Sequence, residues 1–355
     1  MIARRLPALI LALTAGLALA ACGDDDDGGG VTGARVEVTT VADTAERDGE
    51  ISLREALEIL GGGLAVADLD EGEQARVDGQ PGPTSADTIT FALADETVIA
   101  LTEALPALRA GDETIDATGE EVTIDGSALD FVCLELASSD NRLYGLRFSG
   151  CRTAVLISAG VVGNIIGGPL EGQGNVLLDG AVGIEINGRQ NIVQGNHIGV
   201  EPNSSEPRPY EFEAIWLTPQ ARDNIIGGPG AGEGNVLSGN GLYAISIDGA
   251  RNNVVQGNFI GLDTTGRIGV PNNAGVNLQA GAFGNLIGGP NEGERNVISG
   301  NRQGVLLTGA TTTGNTIQGN IFGTSVGQGE DIPNDTDIYE DAGVGENQKI
   351  DNDVG

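Results

Sequence analysis

The sequence predicts an all-β solenoid of short strands, and three observations lead there. The 355-residue chain repeats itself: Asn164-Ile-Ile-Gly-Gly-Pro169 returns as Asn224-Ile-Ile-Gly-Gly-Pro229 and as Asn285-Leu-Ile-Gly-Gly-Pro290, at offsets of 60 and 61 residues. Asn175-Val-Leu, Asn235-Val-Leu and Asn296-Val-Ile follow each copy at the same distance, so the repeat is in register rather than compositional. Each unit is itself double, because Asn191-Ile-Val-Gln-Gly, Asn253-Val-Val-Gln-Gly and Asn315-Thr-Ile-Gln-Gly fall about halfway along it. With Asn141 this gives seven related positions separated by 23 to 33 residues. Between them lie stretches such as Gly183-Ile-Glu-Ile, Ala214-Ile-Trp-Leu, Ala244-Ile-Ser-Ile and Gly275-Val-Asn-Leu, whose period of two is that of strands. Helical periodicity is missing from this region, which excludes a βαβ or helical solenoid. Glycine, 58 residues without the three-residue period of collagen, supplies the tight turns such a chain needs.

A strand-only repeat of this length, with three short strands per turn, resembles the right-handed parallel β-helix of the pectin-lyase-like superfamily. The asparagines then acquire a mechanical role. All 25 lie between Asn141 and Asn352. At a bend, Asn tolerates left-handed backbone angles and its amide can bond to the same group in the coils above and below. Asn141, Asn164, Asn191, Asn224, Asn253, Asn285 and Asn315 form one such column. Asn175, Asn196, Asn235, Asn258, Asn296 and Asn320 form a second.

Read from the N-terminus, residues 1–21 have the charged start and apolar run of an export signal. Leu19-Ala20-Ala21-Cys22 resembles the lipobox of bacterial lipoproteins, which implies cleavage before Cys22 and a lipid on its sulfur. Residues 22–34, with four aspartates and a glycine run, read as a solvated tether. Residues 35–130 form an N-terminal cap and irregular first coils. There Ser52-Leu-Arg-Glu55 is a capping box opening a helix through Leu60. The stretch from Thr40 to Leu57 resembles the CSLREA motif found before β-helix repeats in bacterial surface proteins, with Ile51 in place of its Cys. A helix here covers the open end that a solenoid otherwise exposes. Residues 61–86 read as an exposed loop, residues 131–329 as regular coils, and residues 330–355 as an acidic tail or capping segment. The resemblances imply a protein held by lipid on the bacterial cell envelope, facing the periplasm or the exterior.

Charge removes other readings. With 51 acids against 18 bases the chain carries −33, which excludes the basic surface that nucleic acid requires. The charge is concentrated at the ends: residues 22–130 contribute −22 and residues 330–355 contribute −8. His197 is the one imidazole, in a column otherwise of Val176, Val236, Phe259, Val297 and Ile321, and reads as structural.

Alternation projects one outward column of Leu156, Glu185, Trp216, Ser246, Asn277 and Leu306, and a second of Ser158, Asn187, Thr218, Asp248, Gln279 and Thr308. Neither holds the paired acids, or the calcium-binding acids beside an Arg base, that enzymes of the superfamily carry, although loops could bring in Arg189, Arg222 or Arg251. The catalytic residues are therefore unassigned. The chain reads as a binding or scaffold module for a carbohydrate or an envelope surface protein, with a polysaccharide lyase or glycoside hydrolase as the alternative. The insertion Glu201–Glu213 runs into Trp216, and Tyr210, Phe212 and Trp216 are the candidate ligand contacts. Cys133 and Cys151, on neighbouring coils, are either a disulfide or two buried thiols. The acids Asp335, Asp337, Glu340 and Asp341 are dense enough for Ca²⁺ but lack the EF-hand spacing. No other cofactor is expected.

Overall fold

The computed structural model describes residues 33–354 apart from 83, 84, 95, 129 and 328. The signal, Cys22 and nearly all of the tether lie outside the described residues. Each turn of the chain lays down one strand in each of three parallel sheets. One complete coil runs through Ile165–Ile166 on the first sheet, Val176–Leu178 on the second and Gly180–Ile186 on the third. Ile192–Val193 then returns to pair in parallel with Ile165–Ile166. The sheets hold 12, nine and eight strands. Stacked parallel coils with the right-handed crossover that L-residues favour make a right-handed parallel β-helix, as the sequence predicts.

The interior is filled by apolar side chains stacked in columns from coil to coil. Ile157, Ile186, Leu217, Ile247, Leu278 and Leu307 lie in register on successive third-sheet strands, each fully buried. Burying each contributes about 1.5–3 kcal/mol. At the N-terminal end the helix Leu53–Leu60 opens on Ser52, whose hydroxyl accepts from the Glu55 N–H while Glu55 accepts from the Ser52 N–H. It drives Leu53, Ala56, Leu57, Ile59 and Leu60 into the cluster that holds Val36 and Val38 of the first strand. Residues 61–86, expected as a loop, include a second capping box, Asp70 with Glu73, on the short helix Glu71–Gln74.

Asparagine ladders run up the corners. In the first, the amide of Asn141 donates to Asn164 and the relay continues through Asn191, Asn224, Asn253, Asn285 and Asn315 to Asn347, with N···O distances of 2.9–3.0 Å. The second runs from Asn175 through Asn196, Asn235, Asn258, Asn296 and Asn320 to Asn352. A third, of Asn240, Asn272, Asn301 and Asn334, occupies the corner between the second and third sheets.

Two expectations are corrected here. The left-handed residue of the first corner is not the ladder asparagine but the residue before it: Asp140, Gly163, Gln190, Asp223, Asn252, Gly284 and Gly314 all have φ between 56° and 74°. The turn is therefore made by one residue and satisfied by the next. Residues 330–355 are not a tail. Thr336–Glu340 is the last strand of the third sheet and Gln348–Ile350 the last of the first, and Asn334, Asn347 and Asn352 extend all three ladders into them.

Cys133 and Cys151 are joined by a disulfide, with Cα atoms 5.7 Å apart. Both are fully buried, and Gly126 makes room for them, since a Cβ there would lie 2.5 Å from the Cys133 sulfur. The bridge spans 18 residues, a loop length that stabilises by about 3 kcal/mol through restriction of the unfolded chain.

Candidate functional site

The outer face of the third sheet is made by the same alternation that fills the core. Its first column is Leu156, Glu185, Trp216, Ser246, Asn277 and Leu306, as alternation projects, and Tyr339 extends it. Asp248 and Gln279 are neighbours in the second. A third column of Val182, Glu213, Tyr243, Ala274 and Gln303 lies beside them. Alternation alone does not reveal it, because two successive residues are buried in each coil, as at Ala214–Ile215 and Ala244–Ile245. Just before it the register shifts between Gly180 and Val182, where Tyr210–Leu217 carries an extra residue. Such a bulge re-aims the side chains on either side of it.

Trp216, Glu213, Tyr243 and Asp248 gather at this bulge. The Asp248 carboxylate accepts from Trp216 Nε1 at 3.1 Å, Ser246 Oγ at 2.8 Å and Gln279 Nε2 at 2.9 Å. The indole is thus held in one orientation on the sheet, partly buried. Asn277 donates to Ser246 Oγ at 3.2 Å, and its own buried Oδ1 has no partner. Toward the N-terminal coils, Asn187 links Glu185 at 3.0 Å to Thr218 at 2.6 Å. Burial, reinforced by the charge of Asp248, pushes the Glu213 carboxyl up to about 7, so it is about half protonated at neutral pH. Burial, with Glu213 and Asp248 adding to it, also raises the Tyr243 phenol. The face thus offers an aromatic surface, fixed acceptors and one carboxyl able to donate.

Of the three aromatics singled out in the sequence, Phe212 is exposed and Trp216 lies on this face. Tyr210 does not. The bulge turns it inward, where it is fully buried with its hydroxyl unpartnered, and burial raises its phenol further. Its ring packs on Gly180, where a Cβ would come within 2.7 Å of it. Tyr243 takes its place as the third aromatic of the surface.

His197 lies on the outer face of the second sheet, in register with Val176 and Val236. Its Nδ1 has no partner, and burial pushes the imidazole down to about 4 against the opposing charge of Glu201. A groove of about 620 Å³ lies on the same sheet nearer the C-terminus, lined by glycine-rich backbone, Val236, Phe259, Val297, Glu292 and Arg295. It gathers little chemistry, since Arg295 already donates to the Gly319 carbonyl. Among the described residues no group of three or more His, Cys, Asp or Glu side chains is disposed to hold a metal. The acidic segment instead uses its side chains locally, Asp337 accepting from Asn334 at 2.9 Å and Glu340 pairing with Lys349.

No family model matches the chain, and no curated protein matches it. Among solved structures it is similar to the Dettilon tailspike protein (gp208), with 13% identity and a TM-score of 0.37 over 67% of this chain and 48% of that one. The chain thus spans about half the length of that protein. It is also similar to the alginate lyase from Paenibacillus sp. str. FPU-7, with 12% identity and a TM-score of 0.33 over 74% of this chain and 91% of that one. Neither likeness is close enough to transfer a residue.

Proposed function

We propose that this chain is an exported, lipid-anchored β-helix of the bacterial cell surface that binds a glycan along the outer face of its third sheet. The observation that carries the binding reading is the Trp216 indole, clamped by Asp248 on a face that also holds a row of hydrogen-bonding acids and amides, with exposed Phe212 on the same strand and Tyr243 on the next. A fixed aromatic plane beside such groups is the chemistry that recognises a sugar ring. Export and anchoring rest on residues 1–22, whose apolar run and Leu-Ala-Ala-Cys ending resemble a lipoprotein signal. Expressed in a bacterium, the full chain is expected in the membrane fraction, and Cys22→Ser is expected to release it. If the two fractionate alike, the anchor is not at Cys22.

In a glycan-array screen of the full chain, Trp216→Ala is expected to weaken binding at least tenfold, the cost of about 1.4 kcal/mol of lost stacking. Binding that survives Trp216→Ala would overturn the assignment of this face. Glu213 favours a second reading, cleavage of the bound glycan, because a carboxyl titrating near 7 beside a second carboxylate is poised to protonate a leaving group. Depolymerisation abolished by Glu213→Gln, with binding kept, would establish that reading. Turnover unaffected by the substitution would remove Glu213 from it.

A further inference from the structure

The corner that leads from the third sheet back to the first carries one residue per coil in continuous parallel pairing: Val162, Arg189, Arg222, Arg251, Phe283 and Thr313. Three arginines therefore stand on three successive coils, about 4.8 Å apart at the backbone. From this column we infer that the corner binds a linear glycan bearing one anionic group, carboxylate or sulfate, on each sugar. The inference rests on the glycan-binding reading above and adds the charge of the ligand.

Among the described residues outside this corner, seven arginines pair with acids, whereas Arg35, Arg109, Arg267, Arg295 and Arg302 do not. Arg54 meets Asp43 at 2.8 Å, Arg147 meets Glu201 at 2.7 Å, and Arg47 holds both Glu55 and Glu73. At this corner Arg222 reaches Asp223 only at 3.9 Å. Arg189 and Arg251 are exposed and make no ion pair or side-chain hydrogen bond among the described residues. Nothing in the turn requires a cation. Its backbone is set by the left-handed residue that follows and by the ladder asparagine after that, and Val162 and Thr313 serve equally well in the same position. Stacking like charges on adjacent coils is unfavourable in itself, and an anion lying between them removes the repulsion.

The spacing selects the anion. A guanidinium binds carboxylate or sulfate through two parallel N–H donors, and one arginine per coil matches a polymer with one charge per sugar far better than duplex DNA with a charge about every 1.7 Å. A chain of net −33 also repels the denser polyanion more strongly. Phe283, next in the column and 53% exposed, offers an apolar plane to the neighbouring pyranose. Arg251 follows Asp248 by three residues, so the corner borders the face described above.

The test measures binding of the full chain to polygalacturonate, to a sulfated galactan and to neutral galactan, for the wild type and for Arg189→Gln/Arg222→Gln/Arg251→Gln. The expected result is at least a tenfold loss with one or both acidic polymers, the polymer that responds naming the anionic group, and no change with the neutral one. The wild-type affinity for the acidic polymer should also fall as salt rises, and that slope should flatten in the triple variant. Lysine in place of all three arginines should keep the salt slope and lose part of the affinity. Acidic-polymer binding unchanged in the triple glutamine variant, or neutral and acidic binding lost together, would overturn the inference. Trp216→Ala separates the two readings: if it leaves all binding intact while the arginine variant loses the acidic polymer, the sheet face fails and the corner stands.

Discussion

Asn224→Ala is expected to cost about 3–6 kcal/mol of stability. Asn224 is fully buried. Its Oδ1 accepts from both the backbone N–H and the side-chain amide of Asn191, each at 2.9 Å, and its own amide donates to Asn253 at 2.9 Å and to the Gly188 carbonyl at 3.2 Å. Alanine leaves two donors of Asn191 buried without partners, at about 1–3 kcal/mol each, and removes packed volume besides. Because each coil touches only its neighbours, the loss should also divide the unfolding transition, the coils on the two sides of Asn224 melting apart. Chemical denaturation followed by far-UV circular dichroism reads both effects. A loss below about 1 kcal/mol in a single unchanged transition would mean that the ladder is ornamental.

His197→Val is expected to raise stability at acid pH and to change it little above pH 7. Folding holds the imidazole at about 4, whereas in the unfolded chain it titrates near 6.5. Between these values the unfolded state binds the extra proton, so the wild type is at full stability above about 6.5 and loses it as pH falls toward 4. The difference amounts to about 3 kcal/mol at the bottom of the window. Valine already occupies the positions above and below, at Val176 and Val236, so the replacement fits the column. Glu213 works the other way: its folded value near 7 stands above the unfolded one, and its contribution falls as pH rises between them. Only the difference between His197→Val and wild type isolates the histidine. If the two curves run parallel from pH 7 to 4, His197 is not the buried neutral group described here.

The coils were legible in the sequence because their rule is local and repeated. An inward aliphatic every second residue and an asparagine at each corner fix the register of six third-sheet strands, and Trp216, Ser246 and Asn277 stand where alternation puts them. The rest escaped for identifiable reasons. Tyr210 reads as exposed because alternation counted back from Trp216 carries no sign of the extra residue at the bulge. Glu213 and Tyr243 were hidden because two successive buried residues, Ala214–Ile215 and Ala244–Ile245, break the alternation beside them, and because their importance depends on the nearby Asp248. The third asparagine ladder begins only at Asn240 and has four members, too few to show as a repeat. The acidic composition of residues 330–355 outweighed Asn334, Asn347 and Asn352, although these continue the ladders at ladder spacing. The arginine corner was visible as three residues but not as a column, since its alignment is set by the turns rather than by any strand.

The ladders also make the solenoid electrically polar. Backbone N–H and C=O groups alternate in direction along each strand and largely cancel, but every ladder amide points the same way, its oxygen toward the first coil and its nitrogen toward the last. A peptide-type amide carries a dipole of about 3.5 D, and columns of eight, seven and four such groups add head to tail along one axis. The positive pole lies in the final coil, where residues 330–355 bring a net charge of −8. The negative pole faces Glu113, whose N–H donates to the first ladder oxygen at 3.2 Å and whose buried carboxyl is pushed upward by desolvation and by nearby Asp87. The acids of the last coil therefore act as a counter-charge to the positive pole, while the earlier strands of the first sheet keep the negative pole inside the stack.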